Sequence, residues 1–268
     1  IESVRATHAM LTPTMMIMTL QDAALGRTDL SSFRQLLYGS SPMAAEWIKK
    51  ALDAFDNVEI IQAYGLTETS PILTILPMAE HEQAIAGENV ALLQSVGRPI
   101  PGVEMRIVDD NDTDVPIDAA GEIIVRGANV SKGYLNRPDE TRTGFRKGWL
   151  HTGDVGRMND QGYLFLLDRK KDMIITGGEN VYSSEVEACL HQHPDVHECA
   201  VVGVTDASDL VKPKAYVVLR EGYAGDDGLM RRLVAHCGEY MAAYKRPRWI
   251  EFVDDLPKTA TGKTQRYR

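Results

Sequence analysis

The sequence predicts an α/β protein in two parts, a larger one over residues 1–168 and a small one over residues 169–268. Three observations carry this. Short β-type runs ending in glycine-containing loops alternate with helical stretches through the first part. After Asp168 the order becomes strand, helix, strand, strand, helix, strand. The chain has 268 residues and is 44% apolar, enough for two cores.

In order along the chain, LLYG (Leu36–Gly39) and VEIIQ (Val58–Gln62) read as strands, with a helix between them opening near Pro42. Each runs into a loop, Gly39-Ser40-Ser41 and Tyr64-Gly65-Leu66-Thr67, and loops leaving strand ends of α/β sheets commonly carry binding groups. Met105–Val108, Gly121–Arg126, Val155–Met158 and Tyr163–Leu167 are further strands, the last two joined by a hairpin turn at Asn159–Gly162. In the small part, Met173–Ile175 is a strand. Ser184, three residues before Glu187, has capping-box spacing for a helix carrying Val186 and Leu190. Ala200–Val204 and Ala215–Leu219 are strands, Leu229, Leu233 and Cys237 mark one face of a second helix, and Trp249–Val253 closes the series. These elements predict a compact sheet with two helices on one face.

Lys and Arg total 29 against 38 Asp and Glu, a net charge of -9, which argues against a nucleic-acid partner. Cys189, Cys199 and Cys237 form no CxxC pair or disulfide framework, so a reducing, cytoplasmic setting is expected. No apolar run is long enough for an integral membrane segment. The Met-rich stretch Met10–Leu20 reads as packing core. The chain opens at Ile1 with no initiator Met and no signal-peptide pattern, as a processed or truncated chain would.

Several groups fit ATP chemistry, which needs a surface for the base, acceptors for ribose hydroxyls, and charge near the phosphates. Tyr64 offers an aromatic face beside Gly65, and Thr67 and Glu68 add a hydroxyl and a carboxylate able to hold Mg²⁺; taken alone, the run reads as a loop. Asp154, in WLHTGD, has the chemistry to accept two ribose hydroxyls, although Gly-Asp is also a common turn pair. Lys263 ends Thr261-Gly262-Lys263, but Pro257 stands where a Walker A loop needs glycine. Lys263 would therefore act as a point charge. His191, His193, His197 and Cys199 lack the spacing of a zinc site, and Ser183 and Ser184 read as helix caps rather than nucleophiles.

Together YGLTETSP (64–71), GEIIVRG (121–127), the run 148–187 from GWLHTGD to YSSEVE, and LPKTATGKTQR (256–266) resemble, in order, the motifs of the adenylate-forming superfamily. That superfamily includes acyl- and aryl-CoA synthetases, luciferases and peptide-synthetase adenylation domains. The resemblance covers essentially the whole chain. It implies a partial large domain of mixed sheets, helices and a small β-barrel-like part, followed by a mobile α+β domain. It also implies an acid:CoA ligase using ATP, Mg²⁺ and CoA, with a fatty or aromatic monocarboxylic acid as substrate. In these terms Tyr64 and Gly65 lie along the adenine, Thr67 contacts phosphate, and Glu68 holds Mg²⁺. Asp154 binds the ribose with help from Arg169, Asp168 is the hinge, and Lys263 meets the acid and the α-phosphate. Gly177 and Gly178 leave room for the pantetheine of CoA, and Gly39, Ser40 and Ser41 flank the acyl pocket.

The family's upstream phosphate loop has no counterpart here, so an N-terminal half of the same enzyme is expected, and the portion alone is expected to be weakly active or inactive. An oligomer is compatible with the sequence. Two other functions fit the motifs less closely, an adenylation domain loading a carrier-protein thiol and a non-catalytic fragment of the same fold.

Overall fold

A computed structural model of the chain describes every residue except Ser41, Pro42, Ala44, Ala207, Ala260, Thr261, Gly262, Lys263, Tyr267 and Arg268. It divides into two compact units, Ile1–Leu166 and Leu167–Arg268.

The first unit contains two sheets. One is built from β1 (His8–Leu11), β2 (Gln35–Gly39), β3 (Glu59–Tyr64), β4 (Thr74–Leu76) and β5 (Arg98–Pro99), hydrogen-bonded in that order. β1, β2 and β3 are parallel, and β4 and β5 each run antiparallel to the strand before. Parallel neighbours need crossovers, supplied here by α1 (Pro13–Gln21) and α2 (Ala45–Ala54). α3 (Met78–Ile85) follows β4. Alternation sets the buried face: Leu36 and Tyr38 of β2 and Ile60 of β3 are inside, against Ile48 and Ala51 of α2. Phe33 and Phe55 close this core edge to face, 6.1 Å apart.

Met10–Leu20 departs from the expected packing core. Thr12 accepts from the Met15 amide and Pro13 takes the first helical position, so the stretch is mostly helix α1. At about 100° per residue only one face can point inward. Met16 is buried, whereas Met10, Met15 and Met18 are exposed.

The second sheet comprises β6 (Val103–Val108), β7 (Gly121–Gly127), β8 (Phe145–Arg146), β9 (Trp149–Met158) and β10 (Leu164–Arg169), the last of which runs on past Leu166 into the second unit. Its order is β10-β9-β7-β6, with β8 on β9, and α4 (Pro138–Gly144) precedes β8. Its core holds Ile107, Ile123, Val125, Leu150 and Leu164 together with Tyr64 from the first sheet and Leu73 just before β4. The Asn159–Gly162 turn forms as expected: the Asn159 side chain accepts from the amides of Gln161 and Tyr163, and Gly162 takes φ 80°.

The second unit carries β11 (Ile174–Thr176), β12 (Glu179–Val181), α5 (Ser183–His191), β13 (Val196–Thr205), β14 (Val211–Leu219), α6 (Asp227–Tyr240) and β15 (Trp249–Phe252). β13 and β14 are antiparallel and β15 adds parallel to β14. Val186 and Leu190 of α5 and Leu229, Leu233 and Cys237 of α6 pack on Val201, Ala215, Val217 and Ile250. Two details differ from the sequence expectation. The first strand does not join this sheet but pairs with β12, which the sequence reading did not separate from its loop. The start of α5 is also capped from outside the helix. The Asp168 carboxylate accepts from the Ser183 amide and hydroxyl and the Ser184 amide, and the Ser184 hydroxyl donates to the Leu167 carbonyl. Glu187 is drawn instead to the Val201 amide and Arg266.

Candidate functional site

Two of the sequence-predicted residues meet in the first unit. Tyr64 ends β3 and its hydroxyl donates to Asp154 Oδ2 at 2.7 Å; both residues are buried. Asp154 reaches this position through an irregularity in β9. The β7–β9 ladder steps from Glu122↔Val155 to Ile124↔His151, leaving extra residues at 152–154. Gly153 takes φ 71° there, the Thr152 hydroxyl donates to the Ile123 carbonyl, and the Asp154 amide donates back to Thr152 Oγ1. Such a bulge re-aims the side chain that follows it.

The Tyr64–Pro71 loop is stiff for reasons internal to it. A Cβ on Gly65 would lie 1.7 Å from the Pro71 carbonyl oxygen, so only glycine fits. The Leu73 amide donates to the Tyr64 carbonyl at 2.8 Å, and the fully buried Thr69 hydroxyl bonds back to Leu66 and Pro71. This leaves Thr67 exposed and Glu68 half-buried on the outer side of a short helical turn.

The loop after β7 grips that turn from outside. Asn129 Nδ2 donates to the carbonyls of Thr69 and Ile72, the Ser131 amide donates to the Glu68 carbonyl, and the Tyr134 hydroxyl donates to Glu68 Oε1 at 2.8 Å. Burial, then the bond to Glu68, pushes the Tyr134 hydroxyl up to about 12, so it is a neutral donor at neutral pH. Sequence reasoning missed Thr69, Asn129 and Tyr134. Tyr134 carried one usable signal, an aromatic beside glycine as in Tyr64-Gly65; the Asn129 and Thr69 contacts had none, because they depend on which loops meet.

Of the remaining predicted residues, Gly39 adjoins the end of β3, several belong to the second unit, and two fall outside the described residues. A Cβ on Gly39 would sit 2.1 Å from the Ala63 carbonyl oxygen, and Ser40 is exposed with φ 75°. Ser41 and Lys263 fall outside the described residues. In the second unit, Asp168 is engaged in capping α5, and Arg169 follows it at the end of β10. Gly177 and Gly178 form the two-residue tip of the β11–β12 hairpin, with φ 60° and 89° and open space where a Cβ would stand. Positive φ at both tip positions is what a type I′ turn requires, which itself accounts for the glycines. Arg266 makes a forked contact with Glu187 and lies 3.6 Å from Asp172, while Lys258 and Thr264 are bridged.

An arrangement of aromatic, carboxylate and hydroxyl groups on an α/β scaffold is what the comparisons bear on. Residues 1–135 match the family described as AMP-binding enzyme, and residues 185–263 match the AMP-binding enzyme C-terminal domain. The chain belongs to the AMP-binding enzyme family. It is 40% identical over 236 residues to the 2-succinylbenzoate–CoA ligase of Geobacillus kaustophilus, covering 88% of this chain and 45% of that protein. It is 38% identical over 257 residues to a long-chain-fatty-acid–CoA ligase of Bacillus subtilis, covering 96% and 44%. Among solved structures, the amide bond synthetase McbA of Marinactinospora thermotolerans superposes with a TM-score of 0.87 at 36% identity, covering 99% of this chain and 52% of that one. The chain thus spans about half the length of the curated relatives it matches.

Proposed function

We propose that this chain is part of an ATP-dependent carboxylic acid:CoA ligase that first joins the acid to AMP, releasing pyrophosphate, and then transfers the acyl group to the CoA thiol, releasing AMP. The observation that carries the reading is the buried Tyr64–Asp154 hydrogen bond, which unites two motifs 90 positions apart. A nucleoside needs those two chemistries side by side, a ring for the base and a carboxylate for the ribose hydroxyls. Tyr64 and Gly65 then border the adenine, Asp154 with Arg169 takes the ribose, and Thr67 faces the phosphates.

Glu68 suits Mg²⁺. Its Oε1 is engaged only by a neutral hydroxyl, Oε2 has no hydrogen-bond partner among the described residues, and Mg²⁺ at nucleotides is held by few carboxylates and several waters. The ion would supply neutralisation of phosphate charge. Lys263 stabilises the charge that develops on the acid and α-phosphate as the adenylate forms.

The two chemical steps make opposite demands on the site, because pyrophosphate must leave before a thiol can enter. In this reading residues 169–268 are a mobile domain, turning at Asp168 to exchange Lys263 for the hairpin of Gly177 and Gly178, past which the pantetheine arm runs. Gly39, Ser40 and Ser41 border the acyl pocket. A fatty or aromatic acid is the substrate, in keeping with the acids named for the two CoA ligases. Cys189, Cys199 and Cys237 are free thiols, which fits a cytoplasmic setting. Among the described residues no helix is long and apolar enough to cross a membrane. Likeness to an amide bond synthetase supports one second reading, in which an amine replaces the thiol as acyl acceptor.

The test uses the full translated product of the gene with ATP, Mg²⁺, CoA, amines and a panel of acids, following AMP and acyl products by mass spectrometry. Acyl-CoA is expected, and Lys263→Ala should abolish adenylate formation. Amide without acyl-CoA would favour the second reading, and no AMP from any acid would sink both.

A further inference from the structure

We propose that Tyr134 is a positioning residue for Glu68, orienting the carboxylate so that its second oxygen is presented to the nucleotide's divalent cation. The proposal rests on the reading of Glu68 as the metal ligand given above.

The backbone of the 67–72 turn is already held without Tyr134, by the Ser131 amide on the Glu68 carbonyl and by Asn129 on the carbonyls of Thr69 and Ile72. The Tyr134 bond acts on something those contacts leave loose, the end of the Glu68 side chain. A glutamate has several rotatable bonds, and freezing them on binding an ion costs entropy. A donor that has fixed the carboxylate beforehand removes part of that cost. The donor's chemistry also matters. A lysine or arginine here would neutralise the carboxylate and compete with the cation, whereas a phenol directs it and leaves its charge intact.

Tyr134 is itself held in place. Its ring packs edge to face on Phe145, 5.6 Å away, and its amide donates to Thr141 Oγ1 at 2.9 Å. The Thr141 hydroxyl in turn donates to the Arg137 carbonyl. Gly133 permits this fold-back: at φ 142°, a Cβ would sit 2.5 Å from Thr141 Cγ2. The hydroxyl therefore reaches Glu68 from a ring with a fixed seat, as orienting a ligand requires.

The experiment is Mn²⁺ binding to the full translated product in the presence of a non-hydrolysable ATP analogue, read by electron paramagnetic resonance and not by turnover. Tyr134→Phe keeps the ring and its contact with Phe145. It should weaken Mn²⁺ binding roughly 10-fold while leaving the melting temperature and metal-free analogue binding unchanged. In a Glu68→Gln background the same change should have no further effect. Unchanged or tighter Mn²⁺ binding in Tyr134→Phe, or additive losses in the double variant, would overturn the proposal. Glu68→Gln alone separates the two levels. If it binds Mn²⁺ as the parent does, the metal assignment itself is wrong; if it weakens binding and Tyr134→Phe does not, only the positioning role is lost.

Discussion

Replacing Tyr64 by phenylalanine removes one oxygen atom and nothing else, yet that oxygen donates to a buried carboxylate at 2.7 Å. A hydrogen bond to a charged group contributes about 1.5–3 kcal/mol, and the upper part of that range applies when the charge stays buried after its donor is gone. The phenylalanine ring keeps the packing with Leu73, Ile123 and Leu164, so little cavity term is added. Tyr64→Phe should therefore lower unfolding stability by about 1.5–3 kcal/mol, part of it through the bond to Asp154. A double-mutant cycle isolates that part: urea unfolding of Tyr64→Phe, Asp154→Ala and the double variant should give a coupling of about 1.5–3 kcal/mol. A coupling below about 0.5 kcal/mol, the usual scatter for independent sites, would refute the reasoning. It would mean that the tyrosine and the aspartate are neighbours without being energetic partners.

Two further outcomes follow from buried charge. Arg266→Ala strands Glu187, whose carboxylate is largely buried and otherwise bonded to the Val201 amide, so the second unit should lose about 2–4 kcal/mol at neutral pH. Burial already pushes the Glu187 carboxyl up, so in this variant the penalty should shrink as pH falls and the carboxyl takes a proton, which hydrogen exchange of α5 at several pH values would read. His81 is fully buried, with Nε2 2.9 Å from the Tyr38 hydroxyl and Nδ1 3.0 Å from the Pro77 carbonyl, and burial holds its pKa below the ordinary value. The folded state then binds fewer protons than the unfolded one below about pH 6.5, so stability is complete above that value and declines as pH falls through it. Urea unfolding between pH 8 and 5 should show that slope, and His81→Gln should flatten it.

Where an element repeats with its own period, local chemistry was enough to find it. Leu229, Leu233 and Cys237 were legible as one buried face of a helix, and the Asn159–Gly162 turn was legible from its own side chains. The four motifs were legible as a family signature because they are long and ordered. Where partners lie far apart in the chain, local chemistry misled. Ser184 and Glu187 have capping-box spacing, but Asp168 caps the helix and Arg266 takes the glutamate. The methionines near the start were read by composition, while α1 turns Met16 inward and Met15 and Met18 outward, and Met10 is exposed on β1.

The sequence by itself determined the two-part α/β organisation and the family, and it put forward Tyr64, Glu68 and Asp154 as candidates for nucleotide chemistry. Each of these depends on residue type and short-range spacing, which the chain carries explicitly. Only the tertiary structure decided that Tyr64 bonds to Asp154, that Gly65 is required by the Pro71 carbonyl, and that Tyr134 reaches Glu68 across 66 positions. Those pairings depend on which loops the two sheets of the first unit bring together. No periodicity encodes such an encounter, because the free energy that makes it comes from burying the core and not from the residues that meet.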